Sequence, residues 1–251
     1  TDGNLSVDDV LEEILNGLDQ IDCCDVRLIL IASRHRRADR ILEHVQRTME
    51  WLDRNERFAE RFVGFDVAGD EMSCRPAELR SQLAQLRHRV VRFTVHAGEG
   101  PEHGRYIENV WQAIYELSAD RIGHGLSLGA HDRLVRLVRD RGIAIELCPS
   151  SNDQIIGYRN RFLSDPHIYD EYPLADYMES GLRVTINTDN RGISRTTLSN
   201  EYLRAAAMMP KGLTRWQVLQ LVRNGFRAAF CDYQTRQQLL RDAETEIVKL
   251  V

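Results

Sequence analysis

Residues 90–99 read VVRFTVHAGE, a β-branched run that closes on a histidine, a glycine turn and a carboxylate. Period-two alternation sets Val91, Phe93 and Val95 on one face and Thr94 and His96 on the other. The same pattern, an apolar run with a chemically loaded end, recurs along the chain. Strand-like runs cover Asp25–Ala32, Phe62–Val67, Val90–Val95, Arg121–His124, Ile143–Leu147 and Arg183–Asn187. Amphipathic segments alternate with them at Val7–Leu18, Ala38–Phe58, Ala77–His88, Ile107–Leu117, His131–Arg141 and Leu174–Ser180, and Thr197–Met208, Arg215–Phe230 and Tyr233–Glu246 read as closing helices. Strands alternating with covering helices are parallel βα units, so the class is α/β, either a doubly wound sheet or a barrel.

Composition narrows the function. The chain has 251 residues with 33 Lys+Arg against 38 Asp+Glu, a net charge of −5. That balance speaks against nucleic acid or an anionic membrane as a partner held by bulk charge. No apolar run approaches the ~18 residues of a membrane span, and the N-terminus reads as an acidic helix rather than a signal peptide. No linker, repeat or composition shift divides the chain, so 1–251 reads as one domain of barrel size. The five cysteines include adjacent Cys23 and Cys24 but no C-x-x-C pair, which points to a cytoplasmic protein without a disulfide framework.

Polar residues collect after the strands: Asp66-Val-Ala-Gly69-Asp70-Glu71, His96-Ala-Gly-Glu99, Gly123-His124-Gly125, Pro149-Ser150-Ser151-Asn152 and Asn187-Thr-Asp189-Asn190. Parallel α/β folds build their sites at these strand ends. Taken singly, His96 reads as a satisfied core histidine, Glu99 as a helix-start charge, His124 as a turn residue and Asp189 as an N-cap. Together they supply an imidazole and carboxylate suited to metal ligation beside a general acid/base. The glycines flanking His124 relieve backbone crowding where an imidazole faces a cavity. No G-x-G-x-x-G follows the first strand, no P-C-x-x-C follows an H-x-E, and no H-E-x-x-H is present, which disfavours a dinucleotide site, a cytidine-deaminase zinc site and a metalloprotease. A His/Asp site spread over several strands suits metal-assisted hydrolysis.

In this order the motifs GFDVAGDE (64–71), TVHAGEG (94–100), RIGHG (121–125), ELCPSSN (146–152) and TINTDN (185–190) resemble the adenosine deaminase family of the metal-dependent amidohydrolase superfamily. VRLILIASRHR (26–36) is similar to that family's third strand. The resemblance implies a (β/α)8 TIM barrel with one Zn2+ at the C-terminal end, acting on a small-molecule purine nucleoside. By it, His96 and Asp189 ligate the metal, and Asp189 also belongs to the catalytic set. Glu99 protonates the purine ring nitrogen beside the attacked carbon, and His124 orients and helps deprotonate the metal-bound water. Gly69 offers its backbone amide to the purine. Asp66 and the Ser150–Asn152 turn stand behind these groups. Adenosine would give inosine and ammonia. Where many members carry a second aspartate, this chain has Asn190, whose amide donates a hydrogen bond to a purine acceptor at any pH.

One departure is larger. The family opens on a strand with H-x-H, and no H-x-H precedes Asp25; the nearest candidate is His35-Arg-Arg. Only about six of the eight βα units of a barrel are expected, followed by C-terminal helices. Two metal donors predict zinc that is weakly bound or absent, and deaminase activity that is weak or nil until an H-x-H strand is restored. Unpaired strand edges predict a homo-oligomer or a partner segment supplying the missing strands. Three functional readings follow: a deaminase of adenosine, a deaminase of another aminopurine such as adenine or a nucleotide, and a non-catalytic barrel acting in assembly or binding.

Overall fold

The computed structural model describes residues 5–35, 38–100, 103–162 and 171–250, so Arg36 and Arg37 of the His35-Arg-Arg stretch lie outside the described residues. In chain order the elements are α1 (Val7–Leu18), β1 (Leu28–Ser33), α2 (Ala38–Arg54), α3 (Glu56–Arg61), β2 (Phe62–Ala68), α4 (Ala84–His88), β3 (Arg92–Ala97) and α5 (His103–Tyr115). They continue as β4 (Arg121–His124), α6 (Asp132–Arg141), β5 (Ala144–Leu147), α7 (Pro149–Ile155), α8 (Leu174–Glu179), β6 (Arg183–Ile186), α9 (Arg191–Ser194), α10 (Leu198–Met208), α11 (Arg215–Ala228) and α12 (Tyr233–Leu250). Short 3-10 turns sit at Pro76–Leu79 and Leu126–Ala130.

All six strands are parallel and pair in strict chain order, β1-β2-β3-β4-β5-β6. A doubly wound sheet reverses its order at a switch point, and this sheet does not. The winding is that of a (β/α) barrel, with six strands among the described residues and β1 and β6 at its two edges. Outward-facing Phe65, Val67, Phe93, Val95, Ile122, Ile145 and Val184 are buried against the helices. The opposite face carries the polar residues. Asp66 pairs with Thr94, and His96, Gly123, Glu146 and Thr185 lie in register across four strands. Across that face Thr94 Oγ1 donates to Glu146, whose other oxygen meets Arg121 Nε at 2.9 Å.

The other end of the sheet is plugged by Phe230, whose ring is buried beneath β2 and carries the Arg121 guanidinium 3.7 Å above its centroid. A Cβ at Gly64 would lie 2.6 Å from that ring. Gly64→Val is therefore expected to destabilise the fold by about 1–3 kcal/mol through overpacking, read as a lower urea midpoint at unchanged slope. A second, smaller core joins Leu11 and Leu15 of α1 to Phe58 of α3. Arg57 and Arg61 fasten it through Asp19, both at 2.7 Å.

Several expected bounds shift, β1 starting at Leu28 rather than Asp25 and α5 at His103 rather than Ile107 among them. Ala38–Phe58 is two helices, because Asn55 leaves helical geometry (φ −123°) and its side chain accepts from Phe58 N, capping α3. Ala77–His88 divides similarly, into the 3-10 turn that opens at Pro76 and the short α4. The third strand runs Arg92–Ala97 rather than Val90–Val95: Val90 turns with φ +58°, and the later end places His96 inside the strand. Among the described residues no helix is long and apolar enough to cross a membrane.

Candidate active site

The C-terminal ends of β2, β3 and β4 bring His96, Glu99 and His124 together. His96 is the penultimate residue of β3, and its Nδ1 lies 3.2 Å from Asp66 Oδ1 on β2. Gly123, its register partner on β4, leaves room for the ring. The two imidazoles meet edge to face, centroids 4.8 Å apart. His124 ends β4 in left-handed backbone (φ +64°), a conformation that costs of order 1 kcal/mol and clusters at functional sites.

Hydrogen bonding fixes how His124 carries its proton. Asn152 Oδ1 accepts from Cys148 N at 3.1 Å and from Tyr172 Oη at 2.8 Å. The Asn152 amide nitrogen therefore faces His124 Nδ1 at 2.8 Å and donates to it. The neutral ring then bears its hydrogen on Nε2, which points at Glu99 Oε1, 3.5 Å away. Burial holds the His124 pKa well below the usual range, helped by the neighbouring charges of His96 and Arg34. Burial also acts against charge on His96, but Asp66, with Glu99 and Asp189 beyond it, outweighs burial and pushes that pKa up to about 9. Glu99 is raised, first by burial and then by Asp189 and Glu71, against the opposing pull of His96 and Arg34.

The turn carrying Glu99 is clamped by a residue that the sequence did not single out. Glu71 is buried; its carboxylate accepts from Gly98 N at 2.9 Å, Glu99 N at 2.7 Å and Asn109 Nδ2 at 3.0 Å. Arg34, 1% exposed, donates from NH2 to His96 O at 2.6 Å, while its Nε and NH1 are buried without a hydrogen-bond partner. A buried charge satisfied by distant backbone leaves no period in a sequence; only the acidic end of GFDVAGDE hinted at Glu71.

Gly69 follows β2 with φ +88°, and a Cβ there would stand 2.5 Å from His35 Nδ1, so only glycine fits. Asp189 lies at the same end of the sheet, exposed, with φ +51°. The cap considered for Asp189 belongs to Asn190, whose Oδ1 accepts from Ile193 N at 3.0 Å to start α9. No described residue hydrogen-bonds the Asp189 carboxylate, while Asn190 is committed by one of its two polar atoms.

The donor chemistry bears on a metal in two ways. With Nδ1 on Asp66, His96 keeps Nε2 as its remaining donor, the pattern of a metal-ligating histidine. Yet zinc takes four protein donors, or three and a water, and among the described residues no three of His, Cys, Asp and Glu converge on one point. The residues present fall short of a zinc site.

Asn152 is fully buried. Asn152→Leu strands His124 Nδ1, Tyr172 Oη and Cys148 N and is expected to cost about 2–4 kcal/mol, measured by urea denaturation. A loss below about 0.5 kcal/mol would overturn the hydrogen-bond assignment.

Comparison with known proteins fits these features. The family model described as adenosine deaminase matches residues 1–246. The adenosine deaminase of Pectobacterium atrosepticum is 34% identical over 93% of this chain and 63% of its own length. Among solved structures, Arabidopsis ADAL complexed with IMP superposes with a TM-score of 0.75 at 23% identity, covering 99% of this chain and 69% of that one. A cog1816 amidohydrolase from Burkholderia ambifaria with bound zinc gives 0.74 at 23%, covering 89% and 57%. The chain spans about half to two thirds of the length of the curated relatives it matches. By the family model and by its curated relatives, this chain belongs to the adenosine deaminase family.

Proposed function

We propose that this chain carries the acid–base groups of a purine deaminase that replaces the exocyclic amine of adenosine, or of a related aminopurine, with oxygen from water. The carrying observation is the pairing of Glu99, raised by burial, with a neutral His124 whose Nε2–H faces it. Raising a carboxyl's pKa favours its protonated form, from which a proton can pass to the ring nitrogen beside the attacked carbon. His124 Nε2–H orients the incoming oxygen, and the open Asp189 carboxylate takes the proton of water. Two proton transfers follow: one to the leaving amine, which departs as ammonia, and one that restores Glu99. The Gly69 amide and the Asn190 side-chain amide are the donors offered to the purine. Zinc, which the family relation implies and the Burkholderia ambifaria relative binds, would find His96 and Asp189 as its donors here. It would need others besides them, and no step above depends on it. Free cysteines suit a reducing, cytoplasmic setting.

The test compares the 251-residue chain with a lengthened one carrying an H-x-H strand ahead of residue 1. Each is offered zinc and then adenosine, adenine or AMP, with ammonia and the ultraviolet change of the purine followed. The lengthened chain is expected to release ammonia in step with oxo-purine. The short chain is expected to hold well under one zinc and to turn over slowly or not at all. A metal-replete lengthened chain inert toward every aminopurine would sink the deaminase reading. Full activity and full zinc in the short chain would sink the incomplete donor set instead.

A further inference from the structure

The end of the sheet remote from His96 is strongly cationic in a protein of net charge −5. Arg92, Arg121 and Arg183 are the first residues of β3, β4 and β6, and Arg141 closes the helix before β5. With Arg227 of α11 and Arg236 of α12 they line one cavity of about 470 Å³. That volume lies within the ~300–1,000 Å³ of small-ligand sites. Its acidic wall residue, Asp120, already accepts from Phe93 N at 2.9 Å.

The six guanidiniums divide into two sets. Arg92, Arg121 and Arg236 are anchored by carbonyls at the end of α11 and in the turn after it, at Cys231 (3.1 Å), Ala228 (3.3 Å) and Cys231 again (2.8 Å). Phe230 stacks beneath Arg121 in the same turn. Arg92 and Arg236 are oriented by these carbonyls, while Arg121 also turns its Nε to Glu146 Oε1, 2.9 Å away on the inner face of the sheet. Arg141, Arg183 and Arg227 make no ion pair among the described residues, and Arg236 Nε is buried with no partner. Arg183 lies against Gly142, where a Cβ would come within 2.9 Å of its NH2. Burial, then the charges of Arg227 and Arg236, lower its pKa, so the cluster repels itself when empty.

We infer that this cavity is a binding site for a compact phosphate chain, a di- or triphosphate group, at the opposite end of the barrel from the candidate active site. Guanidinium forks match phosphate oxygens two at a time, and a concave wall that converges several of them selects a short polyanion over a single charge. The proposal stands whether or not the chain deaminates purines.

Isothermal titration calorimetry of the 251-residue chain with sodium tripolyphosphate, in about 0.15 M chloride, tests it. The expected result is one site with micromolar affinity, and a Tm raised by about 5 °C at saturation. R183Q/R227A should weaken binding at least about tenfold without lowering the unliganded Tm, since it relieves repulsion in the empty cluster; R227A alone, at an exposed position, serves if the pair folds poorly. R133A/R136A, at two exposed positions of α6 away from the cavity, removes equal charge and should change nothing. ATP binding as tightly as tripolyphosphate assigns recognition to the phosphate chain; ATP binding far more tightly adds a nucleoside contact to it. No binding to the wild-type chain, equal weakening by both double variants, or competition by adenosine, which carries no phosphate, would overturn the site.

Discussion

Glu99→Gln in the lengthened chain should lower kcat for deamination by about 10³-fold while leaving KM and Tm nearly unchanged. Glutamine matches the shape of glutamate but has no proton to give to a ring nitrogen. The backbone of the turn does not depend on that side chain, because Glu71 holds Gly98 N and Glu99 N from the other side. Burial already disfavours charge on Glu99, so a neutral isostere removes little that stabilises the fold. Steady-state kinetics with ammonia detection, beside a thermal melt, separates the two quantities. A fall in kcat below about tenfold would take Glu99 out of the acid role.

Glu71→Ala is expected to cost about 4 kcal/mol and to abolish activity along with it. Gly98 N and Glu99 N would lose their acceptor inside the protein, each at about 1–3 kcal/mol, and Asn109 Nδ2 would keep only the Glu71 carbonyl at 3.2 Å. Against a usual total of ~5–15 kcal/mol this is a large share, so urea denaturation should show a midpoint displaced far to the left. Glu71→Gln keeps one carbonyl acceptor but turns an amide toward another N–H. Its stability loss should be roughly half, with the remaining deficit in kcat as Glu99 drifts. If Glu71→Ala costs under about 1 kcal/mol, the clamp is not what holds the turn.

The sequence exposed these features unequally. β4 was legible to the residue, as RIGH, because its apolar run stops on a polar residue flanked by glycines. His96, Glu99 and His124 stood out for the same reason, as polar groups placed where apolar runs stop. The choice of barrel over doubly wound sheet rested on the family resemblance, since periodicity says nothing about which strand pairs with which; the strand order supplies that directly. Asn55 was read through as helix because the amphipathic pattern continues on both sides, while one side-chain bond to Phe58 N decides the break. Asp189 and Asn190 are both good caps by type, and only the left-handed turn at Asp189 hands the cap to its neighbour. Glu71 and Arg34 act through backbone groups far along the chain, so no local pattern marks them. The arginines at the opposite rim were visible one by one as strand-start charges, and their convergence is a product of the winding.

That winding also bears on how the chain comes to be folded. Each strand pairs with the strand made just before it, so every sheet contact closes a loop no longer than one βα unit. Loop-closure entropy is met in small instalments, and the growing edge offers the next strand a template as it leaves the ribosome. Among the described strands none waits for a partner distant in sequence, and a half-made sheet differs from this one mainly in length.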